Sequence, residues 1–260
     1  MSFNDKSVLV TGSTTGIGEA SARAFAAQGA RVLITGRNAE RGANICAEIE
    51  GDGGTAEFCQ ADLSDRAQCD RLVSETVRRF GRLDVLVNNA GVLHEGTAPD
   101  TSDHAWDETV TVNISSVFFM SRAAVRQMKE QGGGCIVNTA SEWGLNGEPG
   151  FVAYCASKGA VVQMTRCMAL DHAVEGIRVN AVCPGETHTE MLDRMLRDQG
   201  GDFDENMRNF AAGIPMRRVA SASEVARCVV FLASDDASYV TGTTLVVDGG
   251  NDATAGAYGP

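Results

Sequence analysis

Tyr154 and Lys158 stand four positions apart in "SEWGLNGEPGFVAYCASK", the stretch running from Ser141 to Lys158. On a helix, residues with that spacing share a face. A phenol with an ordinary pKa near 10 is a poor base at neutral pH. An ammonium about 5 Å away, at an effective dielectric near 20, favours the phenolate by roughly 3 kcal/mol, or about two pKa units. That shift brings the phenol into range for proton transfer. A bare YxxxK pattern is short, and a packing tyrosine beside a surface lysine is spelled the same way, so the surroundings must decide.

Those surroundings are regular. Ser141 ends the apolar run "CIVNTAS" at 135–141, and six similar runs lie at 7–12, 30–36, 56–62, 84–91, 178–185 and 243–250. Being apolar nearly throughout, they read as strands buried on both faces, as parallel strands are. Helical stretches fall between them at 18–28, 39–49, 66–80, 106–129, 154–174 and 223–232. The repeated βα order predicts an α/β chain: a Rossmann-like, doubly wound, seven-stranded and mostly parallel sheet with helices on both faces. No Pro- or Ser-rich linker interrupts residues 1–250, which are expected to form one domain. Residues 186–217 break the rhythm with the acidic, Gly-rich "RDQGGDFDEN" and a short amphipathic piece carrying Met191, Leu192, Met195 and Leu196. An excursion there, at the carboxyl end of a strand, is expected to be a substrate lid. Residues 251–260, beyond "DGG", form an extra tail.

The turn "VTGSTTGIGEA" sets Gly12, Gly16 and Gly18 between the first strand and the first helix. Backbone can there approach a pyrophosphate resting on the helix N-terminus. Dinucleotide folds that bind NAD place a carboxylate at the end of the second strand. Here that strand ends "LITGRN", with Gly36 and then Arg37. An arginine pairs with the 2′-phosphate of NADP where a carboxylate would repel it. NADP is therefore expected ahead of NAD.

"TGSTTGIG", "NNAG" at Asn88 to Gly91, Asn113, Ser141, "YCASK" and "CPG" occur in this order. Together they resemble the short-chain dehydrogenase/reductase family, of the common type of roughly 250 residues, from Thr11 to Gly250. The resemblance implies that Tyr154 is the general acid/base, that Lys158 lowers its pKa and holds the nicotinamide ribose, and that Ser141 hydrogen-bonds the substrate oxygen. It implies that Asn113 supports a water in a proton relay to Lys158. Around the cofactor, Gly12, Thr15, Gly16, Ile17 and Gly18 would cradle the pyrophosphate, and Asp62 with Leu63 would contact adenine. Asn89, Ala90 and Gly91 would line the adenosine ribose. Pro184 and Gly185 would sit beside the nicotinamide, with Thr189 reaching its carboxamide or a phosphate. Two positions depart from the pattern: Thr187 stands where relatives often carry Ile or Val, and Thr15 where many NADP users carry a basic residue.

Composition narrows the partners. With 34 Asp and Glu against 22 Lys and Arg, the net charge is −12, which disfavours a nucleic-acid surface. Eight scattered cysteines without a CxxC pair read as buried free thiols, and four scattered histidines give no zinc or other metal site. No leader and no membrane-length apolar run is present, so a cytoplasmic protein is expected. The helix from 154 is apolar on more than one face, at Ala156, Ala160, Val161, Met164, Cys167, Met168 and Leu170. A homo-oligomer, tetramer or dimer, is expected on that basis. Ser141, Trp143, Tyr154 and Met191 are the expected substrate contacts, with Glu142, Asn146 and Glu148 nearby, for a small molecule such as a polyol, sugar or cyclic alcohol. The competing readings are a 3-oxoacyl-carrier-protein reductase, docking through Arg122, Arg126, Lys129 and Arg166, and a regulatory protein that binds nicotinamide without turnover.

Overall fold

The structure, a computed structural model, describes residues 2–254. Its strands are β1 Ser7–Val10, β2 Arg31–Gly36, β3 Thr55–Gln60, β4 Val85–Asn88, β5 Gly134–Thr139, β6 Ile177–Pro184, β7 Thr187–His188, β8 Ala220–Ser221 and β9 Thr244–Val247. Seven of them, one from each apolar run, form a sheet in the order β3-β2-β1-β4-β5-β6-β9. Every pairing in it is parallel. The order reverses direction beside β1, between β1 and β4, which is where such sheets open a crevice at their carboxyl edge.

Strand alternation explains the two apolar layers. Val8, Val10, Val32 and Ile34 point to one face, under α1 Gly16–Ala26, α2 Ala39–Gly51 and α9 Ala222–Ala233. Leu9, Leu33, Leu86 and Ile136 point to the other, under α3 Arg66–Phe80 and α5 Ser116–Gln131. With both faces covered, the strands need no polar side, hence their near-continuous apolar spelling. The helix α6 Val152–His172 packs beside α5, with Val161 and Val162 against Val117, Ala181 and Cys183.

The single long helix expected over 106–129 is corrected. It consists of α4 Asp103–Thr109, a π-turn at Val110–Ser115 and then α5. The extra residue in a π-turn re-aims one side chain out of the regular ladder, and Asn113 is the polar residue buried there. The excursion after β6 is also richer than expected. β7 and β8 pair in a short parallel ribbon, and between them stand two helices, α7 Glu190–Asp198 and α8 Phe203–Gly213. Leu192, Met195 and Leu196 of α7 and Phe203, Met207 and Phe210 of α8 pack with Phe151, Trp143 and Tyr154. The i, i+4, i+7 spacing of Phe203, Met207 and Phe210 is the helical signal that foretells α8.

All eight cysteines are free; Cys59, Cys69, Cys135 and Cys183 are buried, but Cys167 is exposed on α6, against expectation. Of the tail, residues 251–254 turn back toward the sheet edge in a short 3-10 turn, Asp252–Thr254. Residues 255–260 lie outside the described residues.

Candidate active site

The carboxyl ends of β1, β2, β4, β5 and β6 open into one cleft. At its floor the β1–α1 turn is bolted to the end of β4. Thr11 Oγ1 accepts from the amides of Asn89, at 2.9 Å, and Ala90, at 3.1 Å. Asn89 Nδ2 donates back to the carbonyls of Thr11 and Gly12, both at 3.1 Å. Glycine is required here by space as well as conformation. Gly12 has φ +59°, and a Cβ on it would stand 2.8 Å from Ala90 Cα; a Cβ on Gly18 would stand 2.3 Å from Gly12 O. Thr15, at the N-cap of α1, makes no side-chain cap bond, whereas Asn38 and Asp65 cap α2 and α3 with theirs. Thr14, Thr15, Gly16 and Ile17 therefore present the helix N-terminus to the cleft, in the form an anion takes. The residues present fit a dinucleotide pyrophosphate.

At one end, Arg37, Asn38, Arg41, Asp62 and Leu63 line the wall. Arg37 is exposed, and its carbonyl accepts from Gln60 Nε2 at 2.9 Å. The amide and hydroxyl of Ser64, then the nearby Arg37 cation, hold the Asp62 carboxyl below the usual carboxylate range. Arg41, which the sequence reading passed over, donates from Nη1 to both carboxylate oxygens of Glu190 of α7 across the mouth, each at 2.9 Å.

At the other end Ser141, Trp143, Tyr154 and Lys158 share the wall. Ser141 follows β5, and its Oγ accepts from Trp143 N at 3.2 Å. The Trp143 ring stands edge-on to Tyr154, with centroids 5.9 Å apart. Tyr154 and Lys158 lie one turn apart on α6, as their spacing predicts. The lysine does not reach the phenol, however. Its Nζ donates to Thr139 O at 2.9 Å and stands 5.5 Å from the Tyr154 ring centroid. Burial pushes Tyr154 up to about 12, against an opposing hydrogen bond from Ser141. Burial also pushes Lys158 down to about 8. In this structure burial thus holds the phenol above its ordinary value, and Lys158 spends its hydrogen bond on Thr139 O.

Two predicted residues stand behind the cleft wall, not in it. Gly18 packs under the turn for want of room. Asn113 is buried, and its Nδ2 donates to Val92 O at 2.9 Å and Ser157 Oγ at 3.0 Å. Ser157 Oγ in turn donates to Tyr154 O at 2.7 Å. A Cβ on Gly91 would lie 3.4 Å from Asn113 Oδ1 and 3.6 Å from Lys158 Nζ, so both polar atoms border the same glycine.

Gly12, Asn89, Ala90, Gly91, Pro184, Gly185, Thr187, Thr189 and Met191 all line the cleft as expected. Thr187 turns its hydroxyl back to Gly185 O at 3.0 Å. Thr189 caps α7, and its Cγ2 would be 3.0 Å from a Cβ on Gly16, so it backs onto the glycine turn. Sequence reasoning missed Thr139, whose carbonyl holds Lys158, and also Glu186, Arg194 and Phe210. The "PGE" next to the recognised "CPG" offered a signal for Glu186; Arg194 and Phe210 enter only through α7 and α8. Among the described residues no group of three or more His, Cys, Asp or Glu could hold a metal ion.

Comparisons with known proteins agree with this geometry. The family model described as enoyl-(acyl carrier protein) reductase matches residues 12–252. The chain is 40% identical to meso-2,3-butanediol dehydrogenase of Serratia marcescens, over 98% of each protein. It is 41% identical to cyclopentanol dehydrogenase of a Comamonas species, over 95% of this chain and 97% of the relative. The crystal structure of levodione reductase superposes with a TM-score of 0.94 at 34% identity, covering 96% of this chain and 99% of that one. A glycine turn on an uncapped helix, a Ser, Tyr and Lys on one wall and relatives matched along nearly their whole length place this chain in the short-chain dehydrogenase/reductase family, oxidoreductases that use a nicotinamide cofactor on the CH–OH group.

Proposed function

We propose that the protein interconverts a secondary alcohol and its ketone, with Tyr154 as general acid/base, on a small polyol or cyclic alcohol, and with NADP ahead of NAD. The convergence of Ser141, Tyr154 and Lys158 on one wall carries this reading. The nicotinamide supplies or accepts the hydride when bound. Gly12, Thr15, Gly16 and Ile17 hold its pyrophosphate, Asp62 and Leu63 its adenine, and Pro184, Gly185, Thr187 and Thr189 the nicotinamide end. Arg37, with glycine and no carboxylate before it, favours the 2′-phosphate.

Ser141 orients the substrate oxygen toward the Tyr154 hydroxyl. With its phenol at about 12, Tyr154 is protonated at neutral pH and ready to donate to a ketone. In the oxidative direction the Tyr154 hydroxyl must first give up its own proton, so that its phenolate takes up the alcohol proton, and a charged Lys158, below about 8, favours that phenolate. Asn113, through Ser157, positions the first turn of α6. The α7–α8 excursion acts as the lid, bringing Met191, Met195 and Phe210 over the reacting end. The relatives named for butanediol and cyclopentanol support a small polyhydroxy or cyclic substrate.

Phe118 on α5 and Leu170 on α6 are 46% and 82% exposed, which supports a homo-oligomer, a dimer or tetramer, built on these helices. Eight free thiols fit a cytoplasmic setting, and no helix among the described residues is long and apolar enough to cross a membrane.

The second function is reduction of a 3-oxoacyl group on acyl carrier protein, supported by a relative of that name from Thermotoga maritima that is 37% identical over 96% of this chain. The surface speaks against it, because Arg122 pairs with Asp70, Lys129 with Glu175 and Arg166 bonds Gln163. Formation of reduced nicotinamide with a panel of secondary alcohols, beside reduction of an acetoacetyl thioester, decides between them. Tyr154→Phe is expected to lose about 10²- to 10⁴-fold in kcat while retaining cofactor binding. Turnover equal to wild type would sink the catalytic role of Tyr154, and only a wild type that turns over neither the alcohols nor the thioester would leave the regulatory reading.

A further inference from the structure

Glu142 directly follows Ser141 and opens the short 3-10 turn Glu142–Gly144. Its side chain lines the cleft yet is only 2% exposed. Oε1 accepts from Asn251 Nδ2 at 3.1 Å; Oε2 is buried with no hydrogen-bond donor. Glu186, after Gly185 at the end of β6, lines the same wall, and its Oε2 is likewise buried without a donor. Gly185 makes the room: a Cβ there would meet Asp248 Cβ at 2.8 Å and Glu142 Cδ at 3.2 Å. Asp248 offers no relief, being itself engaged by the amides of Gly250, at 2.9 Å, and Asp252, at 2.5 Å.

An ionised carboxylate only accepts hydrogen bonds, and two pressed into a dry wall do not both ionise. The pair shares a proton. Burial, with the Glu186 charge, pushes Glu142 up to about 9, and burial raises Glu186 as well. At neutral pH the pair thus holds one proton among several acceptor oxygens, on two residues that line the same cleft as Ser141 and Tyr154. That array suits a neutral O–H or C=O and repels a carboxylate. A monofunctional alcohol would leave it unmatched, and buried polar groups left without partners are what discriminate most strongly against a ligand.

We propose that Glu142 and Glu186 together read a second oxygen of the substrate, so that the enzyme prefers a neutral diol or hydroxyketone over a simple alcohol. The inference rests on the alcohol-oxidising reading of the cleft and adds the determinant of specificity.

The test uses matched probes: 1,2-cyclopentanediol against cyclopentanol, and 2,3-butanediol against 2-butanol. The full chain is assayed with its preferred cofactor, as wild type and as Glu142→Gln and Glu186→Gln, which keep side-chain volume. Wild type is expected to favour the diol in kcat/KM by about 10- to 100-fold, the worth of a hydrogen bond to a charged group. In either variant that ratio falls at least about tenfold. A wild-type ratio near one, or a ratio unchanged in both variants, overturns the role of the pair while turnover of the simple alcohols still upholds the alcohol reading. Should wild type turn over no probe in either direction, the alcohol reading falls. The thermal shift that each diol gives to the cofactor-loaded protein then decides: a shift lost in Glu142→Gln supports the pair, and no shift in wild type overturns it.

Discussion

Asn113 and Val92 exchange two hydrogen bonds: Asn113 Oδ1 accepts from Val92 N at 2.8 Å, and Asn113 Nδ2 donates to Val92 O at 2.9 Å. A side chain thus pairs with the chain leaving β4 as a neighbouring strand would. Asn113→Ala removes both bonds and the one to Ser157. The expected loss is about 2–3 kcal/mol in urea unfolding, since the partners are left partly buried. A fall in kcat of at least about tenfold is expected beside it, because misplacing a positioned group by a fraction of an ångström is costly.

Gly18→Ala tests the floor of the cleft. The added methyl would lie 2.3 Å from Gly12 O and 2.4 Å from Asn89 Nδ2, two atoms that bond each other. Overpacking of this kind destabilises by about 1–3 kcal/mol. The turn must shift, so cofactor titration is expected to show binding weakened at least about tenfold. Gly51→Ala is the control, because a Cβ there meets nothing within 4 Å and the residue ends α2. It is expected to be neutral or stabilising by up to about 1 kcal/mol.

Arg37→Asp tests the cofactor. Replacing the cation with an anion should weaken NADP by about 10- to 100-fold, the worth of a charge-assisted contact plus the repulsion introduced. NAD binding should hold or improve. A wild type that binds NAD more tightly than NADP would overturn the preference drawn from this residue.

The Glu142 carboxyl also couples stability to pH. Its ordinary value of 4.5 rises to about 9 in the fold. The folded state therefore keeps a proton that the unfolded chain releases between those values. The stabilisation is complete below 4.5 and declines as pH rises toward 9, by at most about 1.4 kcal/mol per pH unit. Glu186, also raised, and Asp248 face it with like charge, and Asn251 with a neutral amide. Lys158, lowered to about 8, works in the opposite sense only above that pH. Melting curves from pH 5 to 8 should thus fall more steeply in wild type than in Glu142→Gln. Parallel curves would mean that Glu142 is ionised in the folded protein.

Local spelling accounts for what could be read in advance. The seven strands are contiguous apolar runs, and Tyr154 and Lys158 meet through a helical period, so both follow from sequence distance alone. Strand ends overran where a side chain takes over from the ladder: 84–91 was expected as strand, but β4 stops at Asn88 because Asn89 and Ala90 turn to bond Thr11. The interruption of the long helix could not be read, because the reason for it, Val92, lies on another segment. Nor could the sign of the Tyr154 shift, which burial decides and spacing does not record. Glu142 and Glu186 look like solvated acids until Gly185 and Asp248 close around them.

The last strand of the sheet in sequence, β9, has its own consequence. It pairs Thr244–Val247 with Ala181–Pro184, and four residues later Asn251 reaches Glu142. A nascent chain emerging from the ribosome can pair the first six sheet strands in turn, yet until β9 follows, β6 remains an open edge and Glu142 has no Asn251. Closure of the carboxylate wall therefore waits on late translation, and a chain broken off before Thr244 would keep Glu142 and Glu186 but lose Asp248 and Asn251, which pack against them.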